Sequence, residues 1–226
     1  MRLLVCIVSF DMTTNFLPNI IMLKRFMDQS GHTVDYAGIS SNNDFHNYEQ
    51  IIPFKYKFIC TDRQLTKMCK FITTVKSTLN YDWYIKTRPE IRLLEQIDFS
   101  MMSPDSINAR ARMYEGPRQI KYGSSVPTKF PTYRSIAFNI HEVTVVLDDQ
   151  IYIFSHGIIT KGCFEKGNTV FQSVENEWCH TDYWTKKNIP LHIVGLNVIF
   201  NKYNDNPSLD IGRKRNLIYG LRKLNK

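Results

Sequence analysis

Residues 3–8 read Leu-Leu-Val-Cys-Ile-Val, an apolar run with no polar face. A strand buried on both sides has this composition, and such strands belong to parallel sheets covered by helices. The run is too short to cross a bilayer, and no small-residue cleavage site follows it, so it reads as a first strand. A helix is expected from about Asn15 to Gln29, where Phe16, Ile20, Leu23 and Met27 recur on one face. Gly31 is placed to end it. A second strand is expected over 32–39, then a polar loop over 40–50 and a strand over Lys55–Cys60. Thr61 and Gln64 have the spacing of a capping box. They precede the clearest helix of the chain, with its stripe of Leu65, Met68, Cys69, Ile72, Val75 and Leu79. Trp83–Thr87 reads as a further strand, ended by Pro89. The order β-α-β-β-α-β predicts an α/β fold with a mostly parallel central sheet flanked by helices.

The chain of 226 residues suits one such domain. Residues 1–95 form its first half, 96–205 its second, and 206–226 a basic tail. Pro104, Gly116, Pro117, Pro127 and Pro131 make 100–135 read as long irregular loops. Strands are expected at 144–147, 151–154 and 191–196, and a helix over 174–187.

Cys6, Cys60, Cys69, Cys163 and Cys179 are widely spaced and form no CxxC pair, which argues against a zinc knuckle or redox dithiol. They read as reduced thiols of a cytoplasmic protein. The net charge of +8 is partly carried by Arg213, Lys214, Arg215, Arg222, Lys223 and Lys226 in the tail. That cluster reads as a solvated face, or as a contact for anionic lipid, which would make peripheral membrane contact, for nucleic acid or for a diphosphate substrate. The dinucleotide fingerprint, the P-loop, the GxSxG elbow and HExxH are all absent. With ten glycines in the chain, phosphate binding has to use cations or a metal rather than a glycine-rich nest.

The informative stretch is TDRQLTKMCKFITTVKSTLNYDWYIKTRPEIRLL, residues 61–94. Lys86, Arg88 and Glu90 fall at and just past the end of a predicted strand, where open parallel sheets bind ligands. Pro89 restricts the turn and the residue before it. An amphipathic helix, Tyr81-Asp82, an apolar strand and Lys86-x-Arg88-Pro89-Glu90 together resemble the DxD region of GT-A glycosyltransferases, especially the small enzymes of large DNA viruses.

The resemblance implies a GT-A-like, nucleotide-diphospho-sugar-transferase fold, with the donor lying across the ends of the first strands. It also implies a divalent metal, Mn2+ or Mg2+, that neutralises the phosphate oxygens. In the DxD register the first acid is Arg88, which leaves Glu90 as the metal ligand of the motif. Arg88 either meets phosphate through its planar fork or forms a strand-end salt bridge with Glu90. Ser9, Phe10 and Asp11 follow the first strand, where the family contacts base and ribose; a plain turn is the alternative. Asp62, Arg63 and Lys67 open the helix beside the nucleotide, and a helix N-terminus favours anions. Arg63 and Lys67, four residues apart, are more often solvated helix charges.

The segments VVLDDQIYIFSHG (145–157) and VENEWCHTDYWTKKNIPLHIVGL (174–196) resemble the acceptor side of such enzymes. Adjacent side chains of an extended segment point opposite ways, so one of Asp148 and Asp149 faces a site, and Asp149 is preferred because it precedes Gln150. Glu177 and Asp182 are candidates for the acceptor base or for positioning a sugar hydroxyl; His180 is a candidate metal ligand or a structural histidine. The expected donor is a UDP- or GDP-linked sugar and the expected acceptor a hydroxyl of a glycan or glycoprotein, with inversion or retention left open. Two other classes compete: a basic, aromatic-lined nucleic-acid-binding or processing protein, and an inactive GT-A interaction module. No recognisable nucleic-acid motif is present, so a specific nucleic-acid partner is not expected.

Overall fold

The computed structural model describes residues 1–115, 119–120, 128–129, 132–135, 140–165, 180, 183–184 and 187–200. The first half contains β1 (Arg2–Val8), α1 (Leu17–Asp28), β2 (Thr33–Ser40), the short α2 (His46–Glu49), β3 (Phe54–Ile59), α3 (Gln64–Val75), β4 (Trp83–Thr87) and β5 (Ile91–Leu93). The rest contributes β6 (Ile107–Glu115), β7 (Gln119–Ile120), β8 (Thr128–Lys129), β9 (Thr132–Ser135), β10 (Ile140–Ser155), α4 (His156–Thr160), β11 (Leu191–Ile193) and β12 (Val198–Phe200).

The main sheet runs β11-β6-β10-β4-β1-β2-β3, with β9 added on β10. β1 pairs in parallel with β2 and β4, from Leu3↔Val34 to Val8↔Ile39 and from Leu3↔Trp83 to Ile7↔Thr87. β2 pairs in parallel with β3, and β11 with β6. β10 runs antiparallel to both β4 and β6. The result is the expected α/β class, a mostly parallel sheet flanked by helices. A small ribbon of β5 and β12 lies apart from the main sheet.

Side chains alternate across the sheet, and two buried clusters follow that alternation. Leu4, Cys6, Val8, Ala37, Ile39, Tyr84, Tyr152 and Phe154 pack with Leu65, Met68, Phe71 and Ile72 of α3 and with Phe164 and Trp184. Leu3, Val5, Ile7, Ile85 and Ile153 pack with Ile20, Leu23 and Met27 of α1 and with Ile91, Leu93 and Val198 of the ribbon. Apart from Phe71, the residues of α1 and α3 among these are ones that the helical spacing predicted, although α3 ends at Val75 and Leu79 follows it in extended conformation. Gly31, at φ +69°, takes the left-handed conformation that turns the chain from α1 into β2.

Several expectations are corrected. Residues 100–135 are not simply irregular, because β6 runs through them and pairs with β10. The strands expected at 144–147 and 151–154 are one strand, β10, whose register against β6 shifts between Leu147 and Tyr152. The loop over 40–50 contains α2, which buries Tyr48. The capping box does not form: Arg63 is the residue before α3, Gln64 is its first residue, and no side chain caps it. The helix expected over 174–187 lies mainly outside the described residues, although His180, Tyr183 and Trp184 are helical. The basic tail also lies outside them. Among the described residues, Cys6, Cys60, Cys69 and Cys163 are buried and form no disulfide.

Candidate functional site

The carboxyl ends of β1, β2 and β4 lie side by side, because Val8 registers with Ile39 and Ile7 with Thr87. Neighbouring strands are about 4.8 Å apart. The residues that leave these strands, Ser9–Asp11, Ser41 and Arg88, therefore share one edge.

The loop after β1 is stitched to the loop after β2. Ser9 N–H donates to Ile39 O at 2.9 Å, and Ser41 N–H to Phe10 O at 3.1 Å. The Ser9 hydroxyl donates to Asp11 O at 2.5 Å, and the Asn42 amide donates to the Asp11 carboxylate. Asp44 accepts from Met12 N–H at 2.6 Å and from the Ser40 hydroxyl at 2.8 Å. Asp44 was not anticipated; its spacing of four from Ser40 in a polar loop was the available signal. This bonding holds Phe10 with 39% of its surface exposed, although it is a large aromatic. The Arg63 guanidinium lies 5.8 Å from its ring centroid and the Lys67 ammonium 4.6 Å.

Lys67 departs from both sequence readings, because it is neither solvated nor open to a ligand: its exposure is 0%. Its ammonium donates to Ser9 O at 2.5 Å and to the Ser41 hydroxyl at 2.7 Å. Burial holds this ammonium below the ordinary lysine range, against the pull of Cys60, Asp11, Asp44 and Asp62. Asp62 pairs with Lys70 and accepts from the Cys60 thiol at 3.0 Å.

Lys86 is also fully buried. It donates to Gln64 Oε1 at 2.7 Å, to Gln150 O at 3.4 Å and to Asp149 O, and lies 5.3 Å from the Tyr152 ring centroid. Lys86 was expected at the ligand site of the strand end; its side chain instead ties β4 to the start of α3 and to the irregular part of β10.

Arg88 and Glu90 form a two-point fork. Nη2 donates to Glu90 Oε1 at 2.6 Å and Nε to Oε2 at 3.2 Å. Their side chains are 20% and 15% exposed, so the pair is largely but not wholly enclosed. Ile91 N–H donates to Arg88 O at 3.0 Å, and the Asn19 amide to Pro89 O at 3.0 Å, which fixes the turn from both sides.

Asp148 and Asp149 separate as adjacent strand residues should. Asp148 is fully buried and pairs with Arg110 of β6 at 2.9 Å; Asp149 is half-buried. Arg110 also donates to Val198 O at 3.1 Å. It falls on the polar phase of Ile107-x-Ala109-x-Ala111, a signal obscured by the loop reading of that segment.

His180 is buried against Tyr152, with ring centroids 6.0 Å apart. Glu177 and Asp182 lie outside the described residues. Among the described residues no group of three or more His, Cys, Asp or Glu side chains gathers into a metal cage. Both carboxylate oxygens of Glu90 are already engaged by Arg88. Among the described residues, therefore, no set of side chains fits the divalent ion that the resemblance implies.

No helix among the described residues is long and apolar enough to cross a membrane.

No protein-family model and no curated protein sequence matches the chain. Solved structures do. The structure of CMP:2-keto-3-deoxy-manno-octonic acid synthetase complexed with CTP is 11% identical, with a TM-score of 0.53, covering 94% of this chain and 96% of that one. The structure of 4-diphosphocytidyl-2C-methyl-D-erythritol synthase is 10% identical, with a TM-score of 0.54 and the same coverage. At these identities the likeness is one of fold.

Proposed function

We propose that the carboxyl edge of β1, β2 and β4 binds a nucleoside-diphosphate sugar, UDP- or GDP-linked, and that the protein transfers the sugar to a hydroxyl of a glycan or glycoprotein. The observation that carries this reading is the pairing of an exposed aromatic ring with guanidinium groups at one sheet edge: Phe10 beside Arg63, and Arg88 on the adjacent strand end. An aromatic face stacks a nucleobase, and a guanidinium matches phosphate geometry. The fold shared with a synthetase bound to CTP supports a nucleotide at this edge.

In this reading Phe10 carries the base, with Ser9 and Asp11 toward the ribose. Arg63 and Arg88 face the diphosphate, and Asp62 supports the helix start beside it. Lys67 and Lys86 act from beneath the site, where they hold the loops, instead of touching phosphate. For an inverting transfer Asp149 takes the proton of the attacking hydroxyl, with Glu177 and Asp182 on the acceptor side.

A second reading takes its lead from the names of the two solved structures, a CMP-sugar-acid synthetase complexed with CTP and a diphosphocytidyl synthase: this protein would join the cytidylyl group of CTP to a substrate oxygen, a step that by balance releases pyrophosphate. Residues 1–30 contain no glycine, so the loop after β1 lacks the backbone nest that would wrap a triphosphate. This favours the diphosphate reading. The test is to incubate the protein with UDP- and GDP-sugars, with and without glycan acceptors, and to assay nucleoside diphosphate release. Parallel reactions with CTP and free sugars assay pyrophosphate. Release of pyrophosphate alone selects the second reading; release of neither product, with RNA or DNA raising the melting temperature, selects nucleic-acid binding.

A further inference from the structure

We infer that Lys67 sets the base preference of the donor site: its buried ammonium draws on the π electrons of Phe10 from the protein side, so that the open side of the ring favours an electron-rich purine, and a GDP-linked donor over a UDP-linked one. The inference rests on the donor site proposed above and narrows its substrate.

The Lys67 ammonium lies 4.6 Å from the ring centroid of Phe10. Lys67 has no exposed surface, whereas Phe10 keeps 39% of its own. A fully buried group cannot stand on the solvent side of an exposed ring, so the ammonium covers the protein side and leaves the other side open. The same two loops hold cation and ring. Lys67 donates to Ser9 O at 2.5 Å and to the Ser41 hydroxyl at 2.7 Å, while Ser41 N–H donates to Phe10 O at 3.1 Å.

The field around this contact is not simply positive. Asp11 and Asp44 on the two loops and Asp62 before α3 favour the charged form of Lys67, against the larger effect of burial. Among the described residues none of the three is ion-paired with Lys67. Asp11 accepts from the Asn42 amide, Asp44 from Met12 N–H and the Ser40 hydroxyl, and Asp62 pairs with Lys70. They keep the ammonium charged and leave its contact with the ring intact. Arg63 is exposed and lies farther from the ring, at 5.8 Å, so water screens it and Lys67 dominates.

The face of an aromatic ring carries partial negative charge, and a cation held against one face draws that charge toward itself. The opposite face becomes a better seat for an electron-rich ring and a poorer one for an electron-poor ring. Stacking on a neutral aromatic is tolerant of base identity; stacking on a ring backed by a cation is not. The amino group and fused imidazole of guanine make it electron-rich, and the two carbonyls of uracil make it electron-poor.

The test is calorimetric titration of GDP, UDP, 7-deaza-ADP and 8-aza-ADP into the wild type, Lys67→Met, Lys67→Arg and Phe10→Leu, with thermal melting to check each fold. The last two nucleotides match in ring size, and 7-deaza-ADP is the richer in electrons. The wild type should bind GDP over UDP, and 7-deaza-ADP over 8-aza-ADP, by about three- to tenfold, the range of a cation–π contact. Lys67→Met should bring the 7-deaza to 8-aza ratio close to one. Lys67→Arg should keep the ratio, because a cation remains, and Phe10→Leu should lose it with the ring. A Lys67→Met protein that binds every nucleotide less tightly but keeps the wild-type ratio makes Lys67 merely structural and overturns the inference. A wild type that binds all four alike, or prefers UDP, also overturns it and leaves the donor site standing. Should neither Lys67 variant fold, a ratio that survives in Phe10→Leu overturns the inference and one that vanishes supports it. If none of the four binds the wild type, the donor site falls and the inference falls with it.

Discussion

Lys86, the penultimate residue of β4, donates to the side chain of Gln64, the first residue of α3, at 2.7 Å, and both are buried. The bond explains why the expected capping box is missing: Gln64 turns toward Lys86 and not toward the helix start. Because Lys86 also donates to Asp149 O and Gln150 O, one ammonium fixes a helix, a strand end and the irregular stretch of β10. The loops that carry the candidate site are thus positioned from behind.

Gln64→Leu should destabilise the protein by about 1–3 kcal/mol, since it strips an acceptor from a buried ammonium. Gln64→Glu keeps an acceptor and should stay close to the wild type. Urea unfolding of the two variants checks this. A Gln64→Leu protein with the wild-type midpoint and slope would show that the bond contributes nothing.

Lys67 should make stability depend on alkaline pH. Burial lowers its folded-state pKa below the ordinary 10.5. Between the folded and unfolded values the unfolded chain holds a proton that the folded chain has released. Stability therefore rises with pH across that window and levels off above the ordinary lysine value. Lys67→Met lacks this contribution, so the wild type should gain on it as pH is raised toward 10.5. Urea midpoints of both proteins at stepped alkaline pH provide the measurement; a difference that stays flat contradicts the burial.

Much of the fold was legible because its elements carry strong local periods. The apolar run of β1, the stripe of α1, that of α3 as far as Val75, and Trp83–Thr87 all fold as read. β6 was missed although Ile107, Ala109 and Ala111 alternate, because small and polar residues weaken the signal and flanking prolines suggest loops. For the site, position along the strands was legible but depth was not. Nothing in the pair Arg63 and Lys67 tells a solvated charge from a buried one. The signal was in the neighbours: Gln64, Lys67 and Phe71 follow three- and four-residue spacing, which widens the buried stripe of α3 to include the lysine. The fork of Arg88 and Glu90 was one of two sequence alternatives, and the local sequence suits both equally.

Phe10→Ala should weaken nucleoside diphosphate binding by about 1–3 kcal/mol, the scale of one base–aromatic stack. Phe10→Trp keeps a stacking face and should retain affinity. Titration calorimetry with UDP and GDP, alongside melting curves, separates lost binding from lost folding. Equal affinity in wild type and Phe10→Ala would move the base away from this ring.

Asp148 and Asp149 should divide stability from chemistry. Asp148 is fully buried, its carboxylate 2.9 Å from Arg110 and accepting from Gln150 N–H at 3.2 Å. Removing the cation by Arg110→Met leaves a buried carboxylate without that charge, and such losses cost about 3–5 kcal/mol. Asp148→Asn retains an oxygen for Gln150 and discards the charge that Arg110 balances, so a smaller loss is expected. Asp149 is half-buried, and its backbone oxygen, not its carboxylate, is what Lys86 engages. Asp149→Asn should therefore unfold at nearly the wild-type urea concentration. If Asp149 is the base of an inverting transfer, the same variant should lose sugar transfer about 100-fold or more while still binding nucleoside diphosphate. Denaturation, donor titration and turnover measured on the three variants test the division. Full turnover in Asp149→Asn would assign the base to another residue, and an unaltered midpoint in Arg110→Met would contradict the buried pair.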